Sequence, residues 1–85
     1  MNILEKDSYR KQIDKSYYLA LRDLLSGVSY QELIEDLVEF EKKEYYELCA
    51  GIFKALKQAK NKTYNEIKKE VETYEKRRQK EQVRY

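Results

Sequence analysis

A chain of 85 residues with no proline, and with glycine only at positions 27 and 51, is poorly supplied for folds that depend on many tight turns. Few connections and long regular elements are what such a chain can build. The apolar residues recur at steps of three and four, the spacing of one helix face, and nowhere alternate for long as a half-buried strand requires. The expected class is therefore all-α. Charged residues make up 40% of the chain, which by itself would suit disorder, but 41% are hydrophobic and the two classes interleave in helical register. A single folded domain spanning residues 1–85 follows, of a size that buries only a modest share of its unfolded surface.

Two helix boundaries are written into the sequence. In "SGVSYQEL", Gly27 can end a helix in the left-handed conformation, and Ser29 with Glu32 has the S-x-x-E spacing of a capping box. Val28 and Leu33 stand where a hydrophobic staple would close over that cap. In "KNKTYNEI", Asn61 offers a stop, and Thr63 with Glu66 repeats the capping box. Before the first boundary, Tyr9, Ile13, Tyr17, Ala20, Leu21 and Leu24 predict a helix over about 8–26. After the second, Tyr64, Ile67, Val71 and Tyr74 predict one over about 64–80 with a narrower stripe, ending in a frayed basic segment.

Between the boundaries the chain contains "DLVEFEKKEYYEL", which is highly charged yet carries no residue that favours a turn. At about 100° per residue, Leu33, Leu37, Val38, Tyr45, Leu48, Ile52, Ala55, Leu56 and Ala59 share one sector of the wheel. That continuity predicts an unbroken helix over about 30–60 and an elongated antiparallel three-helix bundle with a long central helix. The alternative is a break near residues 41–44, giving four helices. On the continuous wheel Glu41 falls near the centre of the apolar face, where a carboxylate must be paired or wet. Gly51 lies off the main stripe and reads as a close-packing position.

The chemistry open to the chain is narrow. With no histidine, neither a Ser–His nor a Cys–His nucleophile can form, and zinc sites of the usual Cys/His type are ruled out. Neither a glycine-rich phosphate loop of the G-x-x-x-x-G-K-[ST] or G-x-G-x-x-G type nor the D-x-[DN]-x-[DN]-G calcium motif occurs. The expectation is a non-enzyme, with no catalytic residue, metal or cofactor. Cys49 is the only cysteine, which fits core packing in a reducing compartment. No apolar run reaches the length of a membrane span or of a signal-peptide core, and a cytoplasmic location is expected.

Charge supplies the functional expectation. Residues 1–30, 31–49 and 50–85 carry net charges of +1, −5 and +6, so a chain of net charge +2 is strongly polarised. Phe40, Glu41, Tyr46 and Phe53 are candidates for a partner-binding face, and Lys76, Arg77, Arg78, Lys80 and Arg84 form a candidate basic patch. The favoured reading is a small protein-binding regulator or inhibitor that uses a helical face against another protein, with a homodimer as a variant. The second is a nucleic-acid-binding protein working through the basic C-terminal helix. The "LLSGVSYQELIEDL" segment has a helix-turn-helix flavour, but Glu32, Glu35, Asp36 and Glu39 give its second helix the wrong sign for phosphates. A bacteriocin-type immunity protein is a third reading, resting on size and helicity alone.

Overall fold

The structure, a computed structural model, describes the backbone of residues 3–82 and the side chains of residues 8–79. It contains four helices, α1 (Ile3–Leu25), α2 (Tyr30–Lys42), α3 (Tyr46–Ala59) and α4 (Tyr64–Gln82), and no strand among the described residues. The all-helical expectation holds, but the long central helix does not exist. Residues 43–45 divide it into α2 and α3. Helix α1 begins earlier than expected and α4 runs slightly longer, because no breaker interrupts "ILEKD" or "KEQ". The expected fraying of the C-terminal end lies outside the described residues.

The break has a definite physical basis. Glu44 adopts φ 62°, the left-handed conformation that an L-residue enters at a cost. Around it the Glu44 N–H donates to Glu41 O at 3.1 Å, and the Tyr45 N–H to Phe40 O at 3.0 Å. That pair of bonds is a Schellman motif, which satisfies carbonyls the helix end would otherwise leave bare. The hydrophobic contact that accompanies the motif is also present, with the Phe40 and Tyr45 rings 6.2 Å apart. The end of α1 uses the same device with the expected residue, since Gly27 has φ 103° and the Val28 N–H donates to Asp23 O at 2.9 Å. Two equivalent turns therefore differ in one residue, and only the glycine turn is advertised.

Both helix starts follow the caps. Thr63 and Glu66 make the reciprocal box, with the Glu66 N–H on Thr63 Oγ1 at 3.2 Å and the Thr63 N–H on Glu66 Oε1 at 3.1 Å. At α2 the Glu32 N–H donates to Ser29 Oγ at 3.1 Å, and Val28 and Leu33 both join the core. Asn61 does not take the left-handed conformation expected of a stop. Instead α3 unwinds through tighter bonds from the Asn61 N–H to Gln58 O and the Lys62 N–H to Ala59 O.

Helices α1 and α3 form the central pair, α2 packs on α3, and α4 packs on α1. Where α1 and α3 meet, a Cβ added to Gly51 would lie 2.5 Å from Ser16 Cβ and 2.7 Å from the Ile13 carbonyl oxygen. Only glycine permits that approach, as its place off the main stripe led us to expect. Buried Ser16 donates from Oγ to the Leu48 carbonyl at 2.9 Å across the same contact. Around it Tyr17, Ala20 and Leu21 of α1, Ile52, Ala55 and Ala59 of α3, Leu33 of α2, and Ile67 and Val71 of α4 close one core. The extents of 39 × 32 × 19 Å describe a slab two helices thick, taking each helix as about 10 Å across.

Two substitutions test these assignments. Glu44→Gly relieves the left-handed strain and raises stability by about 0.5 kcal/mol after the added freedom of the unfolded chain, whereas the same change inside a continuous helix would lose about 1 kcal/mol. Urea denaturation reads the sign. Gly51→Ala gains about 1 kcal/mol of helix propensity at an open position, but overpacking against Ser16 outweighs that gain and gives a net loss of about 1–3 kcal/mol. A variant more stable than the parent would show that the two helices do not meet there.

Candidate functional site

Two surfaces on the slab carry features that folding leaves unused. The first is a groove of about 340 Å³ along α2 and α3, lined by Tyr30, Ile34, Leu37, Phe53, Leu56, Lys57 and Lys60. Tyr30, Ile34 and Leu37 follow one another at steps of four and three, so they form one row on α2. Leu33 and Phe40 lie next to that row, and together with Leu37 they turn into the core or its edge. Helix α2 thus has one broad apolar sector, of which Leu33 is buried, Leu37 and Phe40 are half-buried against the core, and Tyr30 and Ile34 are left exposed. Ile34 remains 42% exposed and Phe53 is 61% exposed, the latter standing at the lip of the groove.

The second surface is a cleft of about 530 Å³ where the middle of α1 lies beside residues 70–78 of α4. Lys11 and Lys15 of α1, Lys54 of α3, and Arg77 and Arg78 of α4 line it, with Asp14 and Glu70 as its acids. Its aromatic wall is built from tyrosines. Tyr18 and Tyr74 stack with centroids 3.6 Å apart and planes inclined by 18°, while Lys54 Nζ sits 4.6 Å from the centre of the Tyr17 ring.

A polar chain braces the floor of this cleft. The Tyr17 hydroxyl donates to Glu70 Oε1 at 2.6 Å, and Lys62 Nζ donates to Glu70 Oε2 at 2.5 Å. Partial burial opposes ionisation of Glu70, yet the Lys62 ammonium and the Tyr17 hydroxyl outweigh it and hold the carboxyl below its ordinary value. The Tyr17 phenol is pushed far up, by burial first and then by the Glu70 carboxylate it faces. Both charge states are therefore fixed near neutrality, with Glu70 ionised and Tyr17 protonated. Burial also raises the Cys49 thiol, so it sits in the core as a neutral side chain.

The candidate residues from the sequence are only partly brought together. Phe53 joins the apolar groove, whereas Phe40 is half-buried against Tyr45, and Glu41 and Tyr46 are exposed near the α2–α3 turn. Glu41 still follows Leu33 and Leu37 at steps of four, but it falls in the last turn of α2 and is exposed there. Arg77 and Arg78 line the cleft, Lys76 is exposed on the face of α4 away from it, and Lys80 and Arg84 lie outside the residues whose side chains are described. Sequence reasoning missed Tyr30, Ile34, Lys57 and Lys60 of the groove, and Lys11, Lys15 and Lys54 of the cleft. The Tyr30, Ile34, Leu37 row was visible as a stripe, but the three lysines meet the arginines only through tertiary packing.

Among the described residues no helix is long and apolar enough to cross a membrane. Comparison with protein-family models, curated proteins and solved structures finds no match, so no relative's chemistry bears on either surface.

The brace under the cleft makes a pH-dependent prediction. Because the folded state lowers the Glu70 pKa, its ion pair contributes stability above the ordinary carboxyl value of 4.5, and that contribution is lost as pH falls below it. Glu70→Gln should cost about 1 kcal/mol at neutral pH, and the gap from the parent should narrow in acid, below pH 4.5. A gap of the same size at neutral and at acid pH in urea titrations would exclude the charge interaction.

Proposed function

We propose that this protein is a small non-enzymatic regulator or inhibitor that binds another protein through the face formed by α2 and α3. Exposed Tyr30 and Ile34 on α2 and exposed Phe53 on α3, lining one groove floored by half-buried Leu37 and Leu56, carry this reading. A chain of this size gains stability by burying such side chains, and here Tyr30, Ile34 and Phe53 are left exposed beside a closed core. Their spacing and the shape of the groove fit an amphipathic helix laid along it with apolar anchors at i, i+3 or i+4, and i+7. Lys57 and Lys60 also line the groove, so the fitting helix carries acidic residues where it passes them.

Phe53 is the natural anchor, since an exposed aromatic at the lip becomes buried when the groove is filled. Its exposure also means that truncation leaves the core intact. The measurement is backbone amide shift mapping with a designed amphipathic peptide that has a leucine seam and acidic residues at one end. Shifts should cluster at Tyr30, Ile34, Phe53 and Lys57, Phe53→Ala should weaken binding about tenfold, and reversing the peptide's end charge should do likewise. Shifts scattered over the molecule would sink the reading. A dimer of this chain that is disrupted by Phe53→Asp would overturn it in favour of a second copy as the occupant.

A further inference from the structure

The cleft between α1 and α4 concentrates more positive charge than folding accounts for. Of its acids, Glu70 is already paired with Lys62. Asp14 alone is left among Lys11, Lys15, Arg77 and Arg78, and none of these four forms an ion pair among the described residues. Favourable interaction with the end of a helix dipole accounts for cations in the last turns of α4, but that effect fades within one turn and does not reach Lys11 and Lys15 in the middle of α1. Holding four like charges around one cleft raises the energy of the isolated protein, and an anionic ligand relieves it.

The wall of the cleft narrows the choice of anion. The Tyr18–Tyr74 stack joins α1 to α4, and both rings remain partly exposed. A ligand carrying flat rings as well as negative charge uses this wall, whereas an acidic peptide would use the cations alone. Paired bases in a duplex keep their faces covered, so the tyrosines can meet only an unpaired base. The two guanidinium groups favour phosphate, which they bind through more than one N–H.

We propose that the cleft binds single-stranded nucleic acid, with phosphates on Lys11, Lys15, Arg77 and Arg78 and a base against the Tyr18–Tyr74 pair. A strand is preferred to a free nucleotide because the cations come from both walls of the cleft. This site is separate from the α2–α3 groove and shares no lining residue with it.

Fluorescence anisotropy of the full chain with labelled oligouridine and oligothymidine tests the proposal, with a duplex of equal length, a free nucleotide and a polyglutamate peptide as competitors. Four phosphate contacts predict an affinity that falls about fifty-fold between about 50 and 200 mM salt. Arg77→Gln combined with Arg78→Gln should weaken binding at least about tenfold and halve the salt slope. Tyr74→Leu should weaken binding about tenfold through lost stacking and leave the slope unchanged, a separation that a purely electrostatic surface would not produce. Circular-dichroism melting checks the fold of each variant, and the exposed arginine pair still decides the matter if Tyr74→Leu unfolds. Absence of binding at low salt, or an unchanged affinity in the arginine variant, would overturn the site. Equal competition by duplex, by free nucleotide or by polyglutamate would overturn its assignment to a single strand.

Discussion

The contact between Gly51 and Ser16 is the constraint on which the rest of this architecture depends. Two helices normally stand 8–10 Å apart according to the side chains between them, and here a glycine opposite a serine removes one side chain altogether. The serine hydroxyl then meets the Leu48 carbonyl, so the one polar group buried at the crossing has a partner. Small residues continue the seam, with Ala20 on α1 and Ala55 and Ala59 on α3 all buried. Close approach along this line brings Tyr17 and Leu21 against Ile52 and gives the molecule its central pair.

The other two helices are positioned by short connections to that pair. Helix α2 reaches α3 through the left-handed turn at Glu44, and α4 leaves α3 through the turn at residues 60–63 and crosses to α1. Each flanking helix then covers one side of the pair instead of closing a ring around it. The radius of gyration of 13.8 Å exceeds the roughly 12 Å of a compact chain of this length, which is the signature of that open arrangement. A slab has more flank than a round bundle, and both unused surfaces lie on its flanks. The apolar groove exists because the apolar sector of α2 is wider than the surface that covers it, and the basic cleft exists because α4 meets α1 on a narrow stripe with its cations standing beside it.

The charge asymmetry of the chain takes on meaning in this frame. The acidic run of residues 31–49 falls on α2 and the start of α3, while the basic residues of α4 are carried to the far flank against Lys11 and Lys15 of α1. An apolar groove with a basic lip and a basic aromatic cleft therefore occupy different parts of the same small surface. Their separation allows one occupant without blocking the other. No catalytic geometry is required by either proposal.

Much of the fold was legible because its signals are local. Ser29 and Thr63 mark helix starts through bonds to residues three positions away, Gly27 marks an end through its own backbone freedom, and Gly51 stood out as a missing side chain. The break at residues 43–45 was hidden for a physical reason. A Schellman turn needs a left-handed residue and an apolar pair flanking it, and glutamate at the left-handed position disguises the first requirement while Phe40 and Tyr45 quietly meet the second. Continuity of the apolar phase across the break misled because a reversed helix also shows a stripe, and its phase relative to the preceding one is arbitrary. The sequence by itself determined helical class, most helix ends and the polarity of charge, all of which depend on neighbours within a few residues. Only the tertiary structure decided that the chain folds back at Glu44, that Ile34 faces Phe53, and that lysines of α1 stand beside arginines of α4, because those outcomes depend on how closely two distant backbones can approach.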